Sequence, residues 1–132
     1  MKDSAHRPLI WIPIRDYRRL QGMVQDRAGR VDRLLRDEMD RAIVCRDSDL
    51  PDRVVRVGDR VMFRRDAQLS PEWARLSFED DAADAADGTV SIASTLGAAL
   101  LGLREGSRMS YLDQDGTSRL LCVERVIPMD RH

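Results

Sequence analysis

The chain is poor in the residues on which most enzymatic chemistry depends. It has two cysteines, Cys45 and Cys122, far apart and forming no CxxC. That spacing excludes a disulfide scaffold and a closed zinc site, and it fits two reduced, packed thiols. The two histidines, His6 and His132, stand at opposite termini, so no Ser/His or Cys/His pair for nucleophilic catalysis can be placed. Gly97, Gly102 and Gly106 lack the spacing of a phosphate-binding loop, and no Gly-Lys-Ser/Thr follows them. Aromatic residues make up 5% of the sequence, too few for an interleaved base-stacking platform. No apolar run approaches the ~20 residues that span a bilayer. Lys2 followed by Asp3, and Pro13 within the short apolar stretch 9–14, do not make a signal peptide. The expectation is a cytoplasmic protein with no membrane segment, no catalytic residues, no metal and no cofactor.

What is present is charge and a core. Of 132 residues, 42% are hydrophobic and 34% charged, which suits one domain, with an appendage at most, under a heavily solvated surface. Lys2 is the only lysine among 22 basic residues, and only five of the 23 acidic residues are glutamate, a bias that GC-rich coding would produce. The formal net charge of −1 argues against avid, sequence-specific nucleic-acid binding. The two halves nevertheless differ. Residues 1–65 carry 16 basic and 11 acidic side chains, net +5, and residues 66–132 carry 6 and 12, net −6. Opposite-sign halves in a small protein concern partners and encounter rather than fold.

Periodicity divides the chain. After Pro13, Ile14, Tyr17, Gln21 and Val24 recur at helical spacing with Leu20 beside them, fading towards Gly29. Val31, Leu34, Leu35, Met39, Ala42 and Ile43 form a second apolar stripe, with Asp37 and Arg41 as an i,i+4 pair. Two amphipathic helices a few residues apart predict an antiparallel hairpin within residues 1–46. Beyond the polar linker 46–52 the pattern turns extended. Val54, Val55 and Val57 with residues 61–63 read as two strands around Gly58 and Asp59, and residues 73–78 and 90–92 as further strands. Residues 96–103 read as a small helix, and residues 109–112 and 120–126 as a closing hairpin. Residues 79–87 are an acidic low-complexity segment without the alternation of a calcium loop. The fold class expected is α+β, with a short helical hairpin (a coiled coil) before an α+β domain over residues 47–132.

Residues 90–106, V-S-I-A-S-T-L-G-A-A-L-L-G-L-R-E-G, are similar to the I-S-x-x-S-P-x-x-x-A-L-L-G-K-x-x-G-D stretch of the bacterial Gre and Rnk family of RNA polymerase secondary-channel factors. The G-A-A-L-L-G-L of residues 97–103 resembles the Rnk branch, whose name means regulator of nucleoside diphosphate kinase. E-M-D-R-A at 38–42, P-D-R-V-V at 51–55 and R-V-M-F-R at 60–64 also look like Rnk, and I-P-I-R-D-Y-R-R-L at 12–20 is similar to the start of the Gre hairpin. The resemblance runs from about residue 9 to 127.

This resemblance implies an FKBP-like C-terminal domain, and docking at the rim of the secondary channel of core RNA polymerase. The family's docking loop maps to Ser91, Ala93, Ser94 and Thr95; Ala93 replaces the usual Asp or Asn, and Thr95 the usual Pro. In Gre factors, acidic residues at the hairpin tip help hold a magnesium ion for transcript cleavage. The corresponding tip here has Asp26, Arg27, Arg30 and Asp32, without the D-x-x-E pair and with cations a magnesium site would exclude. Each helix offers roughly 12–14 residues, a reach of about 20 Å at 1.5 Å per residue. Cleavage is therefore expected to be absent, and the chain is expected to be a non-enzymatic monomer that competes with Gre-type factors. Two other readings are weighed beside it. One is a regulator of nucleotide-metabolism enzymes such as nucleoside diphosphate kinase. The other is an FKBP-type peptidyl-prolyl isomerase, which the scarcity of aromatics disfavours.

Overall fold

The computed structural model describes residues 7–26, 33–78, 88–113 and 115–129. Strand β1 (Trp11–Pro13) runs directly into helix α1 (Ile14–Asp26), since proline needs no amide partner where a helix begins. Leu20 is fully buried, with Tyr17, Met23 and Val24 packed against the same core, while Arg15, Arg18 and Arg19 face solvent. The apolar stripe is thus rotated from the expected one: Leu20 is its centre, and Ile14 is 41% exposed.

Helix α2 (Arg33–Arg41) buries Leu35 and Met39. Ile43 does not continue its stripe. It opens strand β2 (Ile43–Cys45), which pairs in parallel with β1, Trp11 opposite Ile43 and Pro13 opposite Cys45. The β-branched Ile43 and Val44 favour the pleated backbone, and Ile43 N–H donates to the Ile10 carbonyl at 2.9 Å. The expected Asp37–Arg41 pair is likewise replaced, because Arg41 turns to Glu38, three residues away, at 3.0 Å.

A short 3-10 helix (Asp47–Asp49) follows. The strand expected at residues 54–57 does not form. Val54 makes only an isolated bridge with Arg104, and the backbone of Val55 bonds Leu103 and Gly102. Both valines are buried, so their hydrophobicity serves docking onto residues 100–104 rather than sheet formation. The expected turn is present: Gly58 has φ +99°, and buried Asp59 accepts the Arg56 and Met129 amides, each at 2.9 Å.

The main sheet comprises β3 (Arg60–Arg65), β4 (Glu72–Ser77), β5 (Thr89–Ser91), β6 (Arg108–Leu112) and β7 (Ser118–Ile127), in the order β5-β4-β3-β7-β6. Only β4 and β5 pair in parallel. Helix α3 (Thr95–Leu100) lies between β5 and β6 in sequence. Val61, Phe63, Leu76, Met109, Leu121 and Val123 line one face of the sheet and share a single buried cluster with Ala98, Leu100, Ile10, Leu20 and Leu35. The core is therefore continuous from the N-terminal helices into the sheet. The class is α+β, as expected. Cys45 and Cys122 are free thiols. No helix among the described residues is long and apolar enough to cross a membrane.

Candidate docking site

Between β5 and α3 the chain reverses through a turn built from hydroxyls. Ser91 Oγ accepts the Ala93 amide at 3.0 Å. Ser94 Oγ donates to the Ser91 carbonyl at 2.6 Å and accepts the Gly97 amide at 3.1 Å, capping α3. Ser94 has the extended backbone of an N-cap, φ −84° and ψ 161°. Gly97 is needed here for space, since a Cβ would lie 2.0 Å from the Ser91 carbonyl oxygen. Ser91, Ala93, Ser94 and Thr95, the loop singled out from sequence, are thus brought together in one turn. All four are partly exposed. Both serines spend hydrogen bonds on the turn itself, which fixes the loop's shape. Behind it, Ile92, Leu100, Leu101 and Leu103 are buried, as plain core packing requires.

The helices are held close to this end of the domain. Arg19 of α1 stacks over the Phe78 ring, 3.9 Å from its centroid, just beyond the end of β4 where Ser77 pairs with Ser91. Arg56 joins two segments, its Nε 3.5 Å from Asp16 Oδ2 and its Nη1 3.5 Å from Asp47 Oδ2. On α2, Glu38 is 1% exposed and bonded to Arg41, which also donates to the Pro8 carbonyl and contacts Met109 Sδ at 3.8 Å. Burial pushes the Glu38 carboxyl up to about 7, against the opposing pull of Arg41. In the sequence Glu38 stands out only as part of the E-M-D-R-A motif, and the signal for its burial is its place between Leu35 and Met39 on the buried face of α2.

Tyr17, Gln21 and Val24 of α1 face Arg36, Met39 and Asp40 of α2 across an open cleft of about 530 Å³. The two helices have 13 and 9 residues, hence about 20 and 14 Å at 1.5 Å per residue. At the expected tip, Arg27, Arg30 and Asp32 lie outside the described residues, as does the Asp26 side chain. Among the described residues no group of three His, Cys, Asp or Glu is placed to hold a metal ion. Burial, with Asp49 and Asp47 nearby, raises the pKa of the Cys45 thiol, which leaves it a poor nucleophile at neutral pH. What these residues form is a hydrogen-bonded turn beside a pair of short helices.

No family model matches the sequence, and no curated protein matches it. Solved structures do. The prokaryotic transcription elongation factor GreA/GreB from Nitrosomonas europaea superposes with a TM-score of 0.70 at 24% identity, covering 90% of this chain and 99% of that one. The GreA factor homolog 1 protein of Thermus thermophilus gives a TM-score of 0.47 at 16% identity, over 92% of this chain and 100% of that one. Its Thermus aquaticus counterpart gives 0.44 at 19% identity, over 84% and 68%.

Proposed function

We propose that this chain, which has the fold of a GreA/GreB elongation factor, is an RNA polymerase-binding transcription regulator of the Rnk type. The observation that carries the reading is the fold shared over nearly the full length of both chains. In this reading residues 47–132 are an FKBP-like docking domain, and the Ser91–Thr95 turn meets the rim of the polymerase secondary channel. The two N-terminal helices form an antiparallel hairpin that enters the channel for only a short distance. At about 20 Å for α1, and with arginines flanking the tip acids in sequence, the hairpin brings no magnesium-holding carboxylates to the polymerase centre. It acts by occupying the channel, and cleaves nothing. A regulator of this kind works as a monomer, in the cytoplasm, with no cofactor.

The preshaped turn supports this reading, because a loop ordered in advance loses little entropy on docking. The test is retention on immobilised core RNA polymerase, followed by displacement with a Gre factor. Retention and mutual displacement are expected, whereas no retention, or binding unaffected by the Gre factor, would sink the proposal. RNA shortening in stalled complexes that depends on Asp26 or Asp32 would overturn the claim that cleavage is absent.

A further inference from the structure

Among the described residues the second face of the main sheet is largely exposed, and its composition is unlike that of the chain as a whole. Directly paired residues share a face, so the register places Arg60 beside Arg75 and Ile127, Met62 beside Trp73 and Arg125, and Cys122 beside Arg64 and Arg108. A β-bulge sets this up. Between Met62 and Phe63 the register to β7 shifts by one, so Glu124 and Arg125 both fall on the open face and Val126 returns to the core. The strands thus present five arginines here against one carboxylate, Glu124, which is paired with Arg64. Arg60, Arg75, Arg108 and Arg125 are exposed and have no carboxylate partner among the described residues. In a protein of net charge −1, the described residues of this face therefore sum to about +4.

Two details give this face a ligand class. Arg60 and Arg75 are directly opposed across neighbouring strands, a like-charge arrangement that destabilises a sheet and that an anion between them would relieve. Trp73 lies in the next row, 38% exposed, with the Arg60 guanidinium 5.1 Å from its ring. From β4 to β6 the arginines cross three inter-strand gaps, about 14 Å at ~4.8 Å each, which suits anions strung along a chain rather than one compact anion. We infer that this open face binds single-stranded nucleic acid without sequence preference, the arginines on phosphates and Trp73 against a base. The affinity is modest and carried mainly by phosphate contacts, since a single indole is the only aromatic on the face. This surface adjoins the Ser91–Thr95 turn, since Ser77 and its partner Ser91 lie on the same face as Arg75, but it needs no polymerase to operate.

The experiment is fluorescence anisotropy of the full chain with a 5′-labelled 12-nucleotide oligouridine. With three or four phosphates neutralised, log K should fall against log salt with a slope of about −2 to −3. The double variant Arg60→Ser/Arg75→Ser should weaken binding at least ~10-fold and flatten the slope by about 1.4, at ~0.7 per lost phosphate contact. Its melting temperature should be unchanged or higher, because the opposed charges are gone. Trp73→Ser should weaken binding severalfold without altering the slope, and Arg46→Ser, an exposed arginine off the sheet, should change nothing. No binding at 50 mM salt, or unchanged binding by the double variant, overturns the inference. So does displacement by an oligo-aspartate of equal charge as effective as by unlabelled RNA, which would assign the face to an acidic protein surface.

Discussion

Substituting Gly97 by alanine tests the geometry of the Ser91–Gly97 turn, and the structure sets the size of the effect. The added Cβ would sit 2.0 Å from the Ser91 carbonyl oxygen, 2.6 Å from its carbon and 3.0 Å from Ile92 Cα. All three are backbone atoms, so relief requires the whole turn to move by more than 1 Å, to reach ordinary contact at about 3.5 Å. That carbonyl accepts both the Ser94 amide and the Ser94 hydroxyl, and the Ser94 cap on Gly97 moves with it. Overpacking costs about 1–3 kcal/mol, and a lost cap with weakened turn bonds about 1–2 kcal/mol more. The better helix propensity of alanine returns about 1 kcal/mol. The net loss is about 1–4 kcal/mol, and with an unfolding entropy near 0.28 kcal/mol/K for this length, the melting temperature should drop by roughly 4–14 °C. Gly22→Ala is the matched control, since nothing lies within 4 Å of its Cβ position on exposed α1; it should stabilise by about 0.5–1 kcal/mol. Thermal unfolding followed by circular dichroism reads both. If Gly97→Ala melts within ~2 °C of the natural chain while Gly22→Ala behaves as stated, the packing of this turn has been misjudged.

Glu38 makes a prediction about pH. Its folded pKa, about 7, lies above the ordinary carboxylate value of 4.5, so between those values the folded chain holds a proton the unfolded chain has released. Stability should therefore fall as pH rises from about 4.5 to 7, by about 3 kcal/mol at most from this group, and level off above. Glu38→Gln should remove that component of the slope in denaturant titrations, and a variant that keeps it would refute the assignment. A third comparison concerns α1. Leu20→Ala should cost about 2–5 kcal/mol because the side chain is fully buried, whereas Ile14→Ala should cost about 0.5 kcal/mol or less. Equal losses in urea unfolding would show that the helix packs through a different face.

Much of this was legible in the residues, and the failures have physical causes. The strands read at 61–63, 73–78 and 120–126 are present, with somewhat different ends, as β3, β4 and β7, because one face of each is buried and the other open. The helix read at residues 96–103 is present as α3, but it starts at Thr95 behind the Ser94 cap and ends at Leu100. Ile43 was misread because a residue that follows a helical stripe at the right spacing can equally begin a strand, and only the partner β1, over 30 residues away, decides. Val54 and Val55 read as a strand because burial and β-propensity look alike in one dimension; their actual neighbours, residues 102–104, were out of view. Arg41 chose Glu38 over Asp37 because Glu38 is on the buried side, where an unpaired carboxylate is costly. The arginine face was hidden differently. Its members come from four strands, and one of them, Arg125, is on that face only because of a bulge that no periodicity foretells. Summed net charge cancelled the rest.

The parallel pairing of β1 with β2 has a consequence for how such a chain can change. The two strands bring the beginning and the end of the helical excursion side by side, through three residue pairs. Everything between Ile14 and Ala42 is thus a closed loop inserted at a clamp, and the clamp belongs to the domain. Doubling a closed loop adds only about 0.6 kcal/mol of closure entropy. Heptads could be added or removed beyond the clamp with little disturbance of the sheet or of the Ser91–Gly97 turn. The length of the excursion and the sheet that anchors it are in this sense separate inheritances, free to change one without the other.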